Sequence, residues 1–103
     1  MGSSQIITHD AVLTEVLAFF SGSGSRGRTE AIAVIRGALE AFEVVHVGRE
    51  LFSQSVDLYA ARLDKEYSLV DCMSMVLMKE RGITHVLTND HHFRQEGFVV
   101  LSE

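Results

Sequence analysis

The sequence predicts an α/β fold built on a parallel sheet of about four short strands. Three observations lead there. Short β-branched or apolar runs alternate with stretches whose apolar residues recur at helical spacing. Proline is absent, so no helix need be broken. The last apolar run, Phe98-Val99-Val100-Leu101, is continuous, as in a strand buried on both faces.

In chain order, Ile6-Ile7 marks a strand at about 5 to 7, and Thr8 and Asp10 favour a helix start, so a helix is expected from about 9 to 20. Val12, Leu13, Val16, Leu17 and Phe20 would form its buried face, leaving Glu15 accessible beside Ala11 and Ala18. Ser21 to Arg28 is Ser/Gly-rich and reads as a flexible loop, either simply solvated or an arm whose Arg26 and Arg28 touch phosphates. A second helix is expected from about Thr29 to Phe42, then a strand over Glu43 to Val47 that stops at Gly48. Arg49 to about Lys65 is a third helical region, with Leu51, Phe52, Val56, Tyr59, Ala60 and Leu63 as its apolar positions.

The next stretch is the most informative. Ser68, three residues before Asp71, is a helix-start signal, and Gly82 is a helix-stop signal. The strand from Thr84 to Thr88 follows and leads to Asp90. From Asp71 to Arg81 the helix descends roughly 15 Å, and from Ile83 the strand climbs back by roughly 17 to 20 Å. Packed antiparallel, the two return Asp71 and Asp90 to one edge of the sheet, the carboxyl edge where open α/β folds bind ligands.

At 103 residues the chain is one domain in size. Its 47% hydrophobic and 22% charged residues describe an ordinary globular chain, and no apolar run approaches the ~20 residues of a membrane span. Residues 1–4 are expected to be a flexible N-terminus or vector-derived; without a basic n-region or a long apolar core, they do not read as a signal peptide, which makes cytoplasm the expected compartment. The single cysteine, Cys72, forms no intramolecular disulfide and reads as a buried thiol. A net charge of −5 argues against a general nucleic-acid binder, yet it agrees with a nuclease whose carboxylates hold divalent cations.

Glu15, Asp71 and Asp90 are the candidate site residues. Each also has a plain structural role open to it: an exposed helical glutamate, the acidic member of a capping box, and a cap on the turn into His91-His92-Phe93. Together they suit Mg²⁺ or Mn²⁺, hard cations that take carboxylate oxygens and assist phosphodiester hydrolysis. Ser68 and Thr88 would support them. The five histidines read as surface or packing residues, since no His or Cys pair has zinc-like spacing. No G-x-S-x-G elbow supports a serine hydrolase.

Tyr67-Ser68-Leu69-Val70-Asp71-Cys72-Met73-Ser74, with Leu87-Thr88-Asn89-Asp90-His91-His92-Phe93 and Gly97-Phe98, resembles the C-terminal half of a PIN domain, the fold of VapC-type toxin ribonucleases. Thr8 to Leu17 resembles the helix that carries that family's conserved glutamate. The resemblance implies a three-layer fold with helices on both faces of the sheet. It implies Glu15, Asp71 and Asp90 as catalytic and metal-site carboxylates, supported by Ser68 and Thr88. It further implies Mg²⁺ or Mn²⁺ as cofactor, single-stranded RNA as substrate, frequent dimerisation and an antitoxin-like partner. One departure is expected: a PIN domain normally begins with a strand ending in aspartate, and the domain read here, 5–103, lacks it. That leaves two readings: a ribonuclease weakened by one missing ligand, or a non-catalytic module that dimerises or binds an antitoxin-like protein through an unpaired sheet edge.

Overall fold

The computed structural model describes residues 5–88 and 90–101. The expected flexible stretch, 1–4, lies outside them. Four short parallel strands alternate with five helices among the described residues, and the chain divides between Val47 and Gly48 into two compact units. The strands pair two by two, β1 with β2 and β3 with β4, where the sequence suggested a single ladder of about four. No described helix is long and apolar enough to cross a membrane.

The first unit holds β1 (Ile7–His9), α1 (Asp10–Phe19), α2 (Gly24–Ala41) and β2 (Glu43–Val45). Ile7 pairs with Glu43, Thr8 with Val44 and His9 with Val45, all parallel. The strand therefore sits two residues later than expected and runs directly into the helix. Asp10, the first helical residue, accepts a hydrogen bond from the Val47 amide at Oδ1 (3.0 Å), and its Oδ2 lies 2.6 Å from His46 Nδ1. One carboxylate thus ties the start of α1 to the segment leaving β2. Burial would raise its pKa, but the His46 and Val47 hydrogen bonds and the nearby imidazoles outweigh that and hold it below the usual aspartate range.

Two expectations fail in this unit. The Ser/Gly stretch is mostly helical: α2 begins at Gly24, placing Arg26 and Arg28 on its first turns rather than on a loop. Extending a helix already nucleated by the Thr29–Ala41 pattern costs little, and local contacts favour it. Arg28 Nη1 donates to the Ser21 carbonyl (3.1 Å), and Arg26 lies 3.6 Å from Glu30 one turn on. The expected buried face of α1 is covered only in part. Val12, Leu13 and Val16 are half-buried while Leu17 and Phe20 are exposed; α1 packs against β1 and against α2, whose buried residues are Ala31, Ile35 and Ala38.

The second unit holds α3 (Arg49–Ala61), α4 (Leu69–Arg81), β3 (His85–Leu87), α5 (His92–Gln95) and β4 (Val99–Leu101). Cys72, Met75 and Met78 recur every three residues along α4 and enter a core with Tyr67, Phe93, Phe98 and Val100. Cys72 is fully buried as expected, and burial followed by the Asp71 charge pushes its thiol up, away from reactive thiolate. α3 packs against α4, and its less exposed residues are Leu51, Gln54, Ser55 and Leu58; the expected Phe52, Val56, Tyr59 and Leu63 are exposed. Fully buried Ser55 satisfies its hydroxyl on the Leu51 carbonyl at 2.7 Å, so the small polar residue rather than the larger apolar ones is what α3 buries. In the closing run Phe98, just before β4, and Val100 are buried while Val99 and Leu101 are about half exposed, so the apolar run covers one face, not two.

Candidate metal centre

α4 opens with a complete capping box. The Asp71 amide donates to Ser68 Oγ (3.0 Å), and the Ser68 amide donates back to Asp71 Oδ2 (2.9 Å). The helix ends on Gly82 at φ +67°, where the Ile83 amide returns to the Met78 carbonyl at 2.8 Å. These two ends fix how far α4 runs, and thus where β3 begins its return.

Beyond β3 the Asp90 amide donates to Thr88 Oγ1 (3.0 Å), and the His92 amide donates to Asp90 Oδ1 (2.9 Å). That Asx-type turn folds the residue two places on against the carboxylate. His92 Nδ1 consequently lies 3.0 Å from Asp90 Oδ1 and 3.9 Å from Asp71 Oδ2. One donor atom from each of Asp71, Asp90 and His92 falls within 4.8 Å of the others. The plain structural roles of Asp71 and Asp90 are therefore real, and they are also what aims both carboxylates at one point.

The centre is partly open, with side-chain exposures of 22% for Asp71, 35% for Asp90 and 29% for His92, so a ligand can reach it. The His92 ring is steadied by Tyr67, whose ring centre is 5.5 Å away. Tyr67 is held in turn: its hydroxyl donates to Glu96 Oε2 (3.0 Å), the oxygen that also accepts from Arg62 Nε (2.6 Å).

The donor set suits a divalent ion. His92 Nδ1 is shielded from solvent, and its 3.0 Å approach to Asp90 Oδ1 is a charge contact rather than a hydrogen bond. In an octahedron with bonds of about 2.1 Å, neighbouring ligands are about 3.0 Å apart and opposite ones about 4.2 Å. The 3.0 Å separation matches neighbouring ligands, and the 3.9 Å one lies between the two values.

The sequence places Asp71 and Asp90 together and reads His92 as a surface or packing residue, whereas the structure brings it into the same cluster. The available signal was the Asp-x-His spacing, since an Asx turn brings the second residue after an aspartate against its carboxylate. Glu15 sits on α1 in the first unit, exposed as expected, beside a shallow apolar groove lined by Val12, Val16 and Phe19. Arg26 and Arg28, also in that unit, present guanidinium groups from α2.

A solved structure with which the chain aligns closely is VapC20 of Mycobacterium tuberculosis, described as a toxin that cleaves the sarcin-ricin loop. The TM-score is 0.80 at 27% identity, covering 95% of this chain and 75% of VapC20. No curated protein sequence gives a significant match. The PIN domain family model matches residues 1–99. With the family motifs on α4 and after β3 meeting in one carboxylate cluster, the chain belongs to the PIN domain family.

Proposed function

We propose that this chain is a VapC-type ribonuclease that hydrolyses phosphodiester bonds of single-stranded RNA with Mg²⁺ or Mn²⁺. The observation that carries the reading is the convergence of Asp71 and Asp90 at the start of α4 and the end of β3. When bound, a hard divalent cation supplies Lewis-acid polarisation of a phosphodiester and activation of a water. Asp71 and Asp90 would hold it, with Glu15 as a third carboxylate. Ser68 fixes the Asp71 side chain through its amide, and Thr88 fixes the Asp90 backbone through its hydroxyl. Neither carboxylate then needs to reorganise when RNA arrives. Arg26 and Arg28 would meet the backbone phosphates as charged donors on a helix rather than a loop.

The partners proposed with this activity are the RNA itself, an antitoxin-like protein and a second copy of the chain. Exposed apolar side chains such as Phe19, 80% exposed on α1, favour association.

The test is Mn²⁺ and Mg²⁺ titration by calorimetry, with cleavage of a labelled single-stranded RNA measured in parallel. Asp71→Asn and Asp90→Asn are each expected to weaken ion binding at least tenfold and to lower cleavage by about a hundredfold or more, about 2.7 kcal/mol of transition-state stabilisation. Unchanged binding and cleavage in both variants would remove these residues from the site.

A further inference from the structure

We propose that His92 donates its Nδ1 to the Asp71–Asp90 centre as a nitrogen ligand, and that this donor tilts the site towards Mn²⁺ over Mg²⁺. The inference rests on the metal-dependent reading above and adds the ion preference to it.

Three observations support it. His92 Nδ1 lies 3.0 Å from one carboxylate oxygen, the spacing of neighbouring ligands around a shared ion, and 3.9 Å from the other. The nitrogen is solvent-shielded and makes no hydrogen bond, and its nearest polar neighbours are the two carboxylates themselves. The backbone is also held, by the His92 amide on Asp90 Oδ1, and the Tyr67 ring packs tilted against the imidazole, 5.5 Å between centres. Such restraint is what a ligand needs and a solvated surface histidine lacks.

The chemical consequence follows from donor softness. Mg²⁺ takes oxygen, sheds its waters reluctantly and gains little from imidazole. Mn²⁺ accepts carboxylate and imidazole together. A two-carboxylate site would distinguish the two ions weakly; one completed by His92 distinguishes them more strongly.

The experiment uses the full chain. Mn²⁺ binding is followed by electron paramagnetic resonance, Mg²⁺ by competition against it, in wild type, His92→Ala and His92→Gln. Loss of the nitrogen is expected to lower Mn²⁺ affinity by about tenfold, the lower end of what a group supporting a metal site contributes, while Mg²⁺ affinity changes less than threefold. Spin-echo modulation of the wild-type Mn²⁺ signal should show coupling to an imidazole nitrogen that both variants lack. That readout needs no activity, and its wild-type half needs no variant to fold. Equal loss of affinity for both ions would show that His92 only orients Asp90, and absence of nitrogen coupling in wild type would overturn the proposal outright. If Asp71→Asn and Asp90→Asn abolish Mn²⁺ binding while the His92 variants keep the wild-type preference, this inference fails and the metal site stands. If all four variants bind as wild type does, the site itself is wrong.

Discussion

Glu96 is the residue on which the second unit most depends for its polar order. Its carboxylate, 5% exposed, accepts from Arg62 Nε at 2.6 Å and Nη2 at 3.2 Å, and from the Tyr67 hydroxyl at 3.0 Å, with Lys79 Nζ 3.8 Å away. The Arg62 hydrogen bond, opposed by burial and helped by Tyr67, holds the Glu96 carboxyl below the usual glutamate range. Burial first, then the Glu96 hydrogen bond, pushes the Tyr67 hydroxyl up to about 12. A depressed carboxyl stabilises the fold above its unfolded pKa of about 4.3, and that contribution is lost as pH falls through the folded value. Tyr67 acts with the opposite sign: its contribution is complete below about 10, the unfolded tyrosine value, and fades as pH climbs towards the folded one. Glu96→Gln should therefore cost about 2 kcal/mol at pH 7, the scale of leaving buried partners poorly satisfied. Urea midpoints of wild type and variant should converge as pH is lowered from 5 to about 3, within the range where the unfolded carboxyl already binds a proton. A gap that stays constant over that interval would show that Glu96 carries no linked proton.

α4 can be tested at either end, and the two ends separate stability from function. Ser68→Ala removes the acceptor for the Asp71 amide and should cost about 1 kcal/mol as a lost N-cap. Gly82→Ala should cost a similar ~1 kcal/mol, through left-handed backbone strain alone, because a Cβ there meets nothing within 4 Å. Only the first substitution loosens the backbone that carries Asp71, although the Ser68 amide still holds Oδ2, so Ser68→Ala should weaken Mn²⁺ binding by a few-fold while Gly82→Ala leaves it unchanged. Equal Mn²⁺ affinity in the two variants, measured by calorimetry at matched folded fraction, would separate the capping box from the site. The same helix explains what could be read in advance. Start, stop and spacing of α4 are local signals in Ser68, Asp71, Cys72, Met75, Met78 and Gly82, and local signals survive without knowledge of neighbours. The α3 face differs from expectation because Phe52 and Val56 carry the hydrophobicity while small Ser55 is the residue buried, a choice set by packing. Arg26 and Arg28 were misplaced because glycine and serine content reports loop preference, not the modest cost of prolonging α2. His92 escaped because an Asx turn, not a periodic element, aims it.

At the scale of the whole chain, the proposed carboxylates are shared between the two units, Glu15 on α1 in the first and Asp71 and Asp90 in the second. An ion bound by the folded chain and not by the unfolded one stabilises whatever it ligates, by about 2.7 kcal/mol at a hundredfold excess over its dissociation constant. Hydrogen exchange can locate that gain, since amides in each unit report their own opening free energy. If Glu15 joins Asp71 and Asp90 at the ion, saturating Mn²⁺ should slow exchange in α1 as well as in α4 and the turn after β3. Glu15→Gln should abolish the α1 protection and keep most of that in the second unit. Protection confined to the second unit in wild type would mean that Asp71, Asp90 and His92 hold the ion without Glu15. Glu15 would then lose its place in the site, and the carboxylate cluster of the second unit would have to account for metal binding on its own.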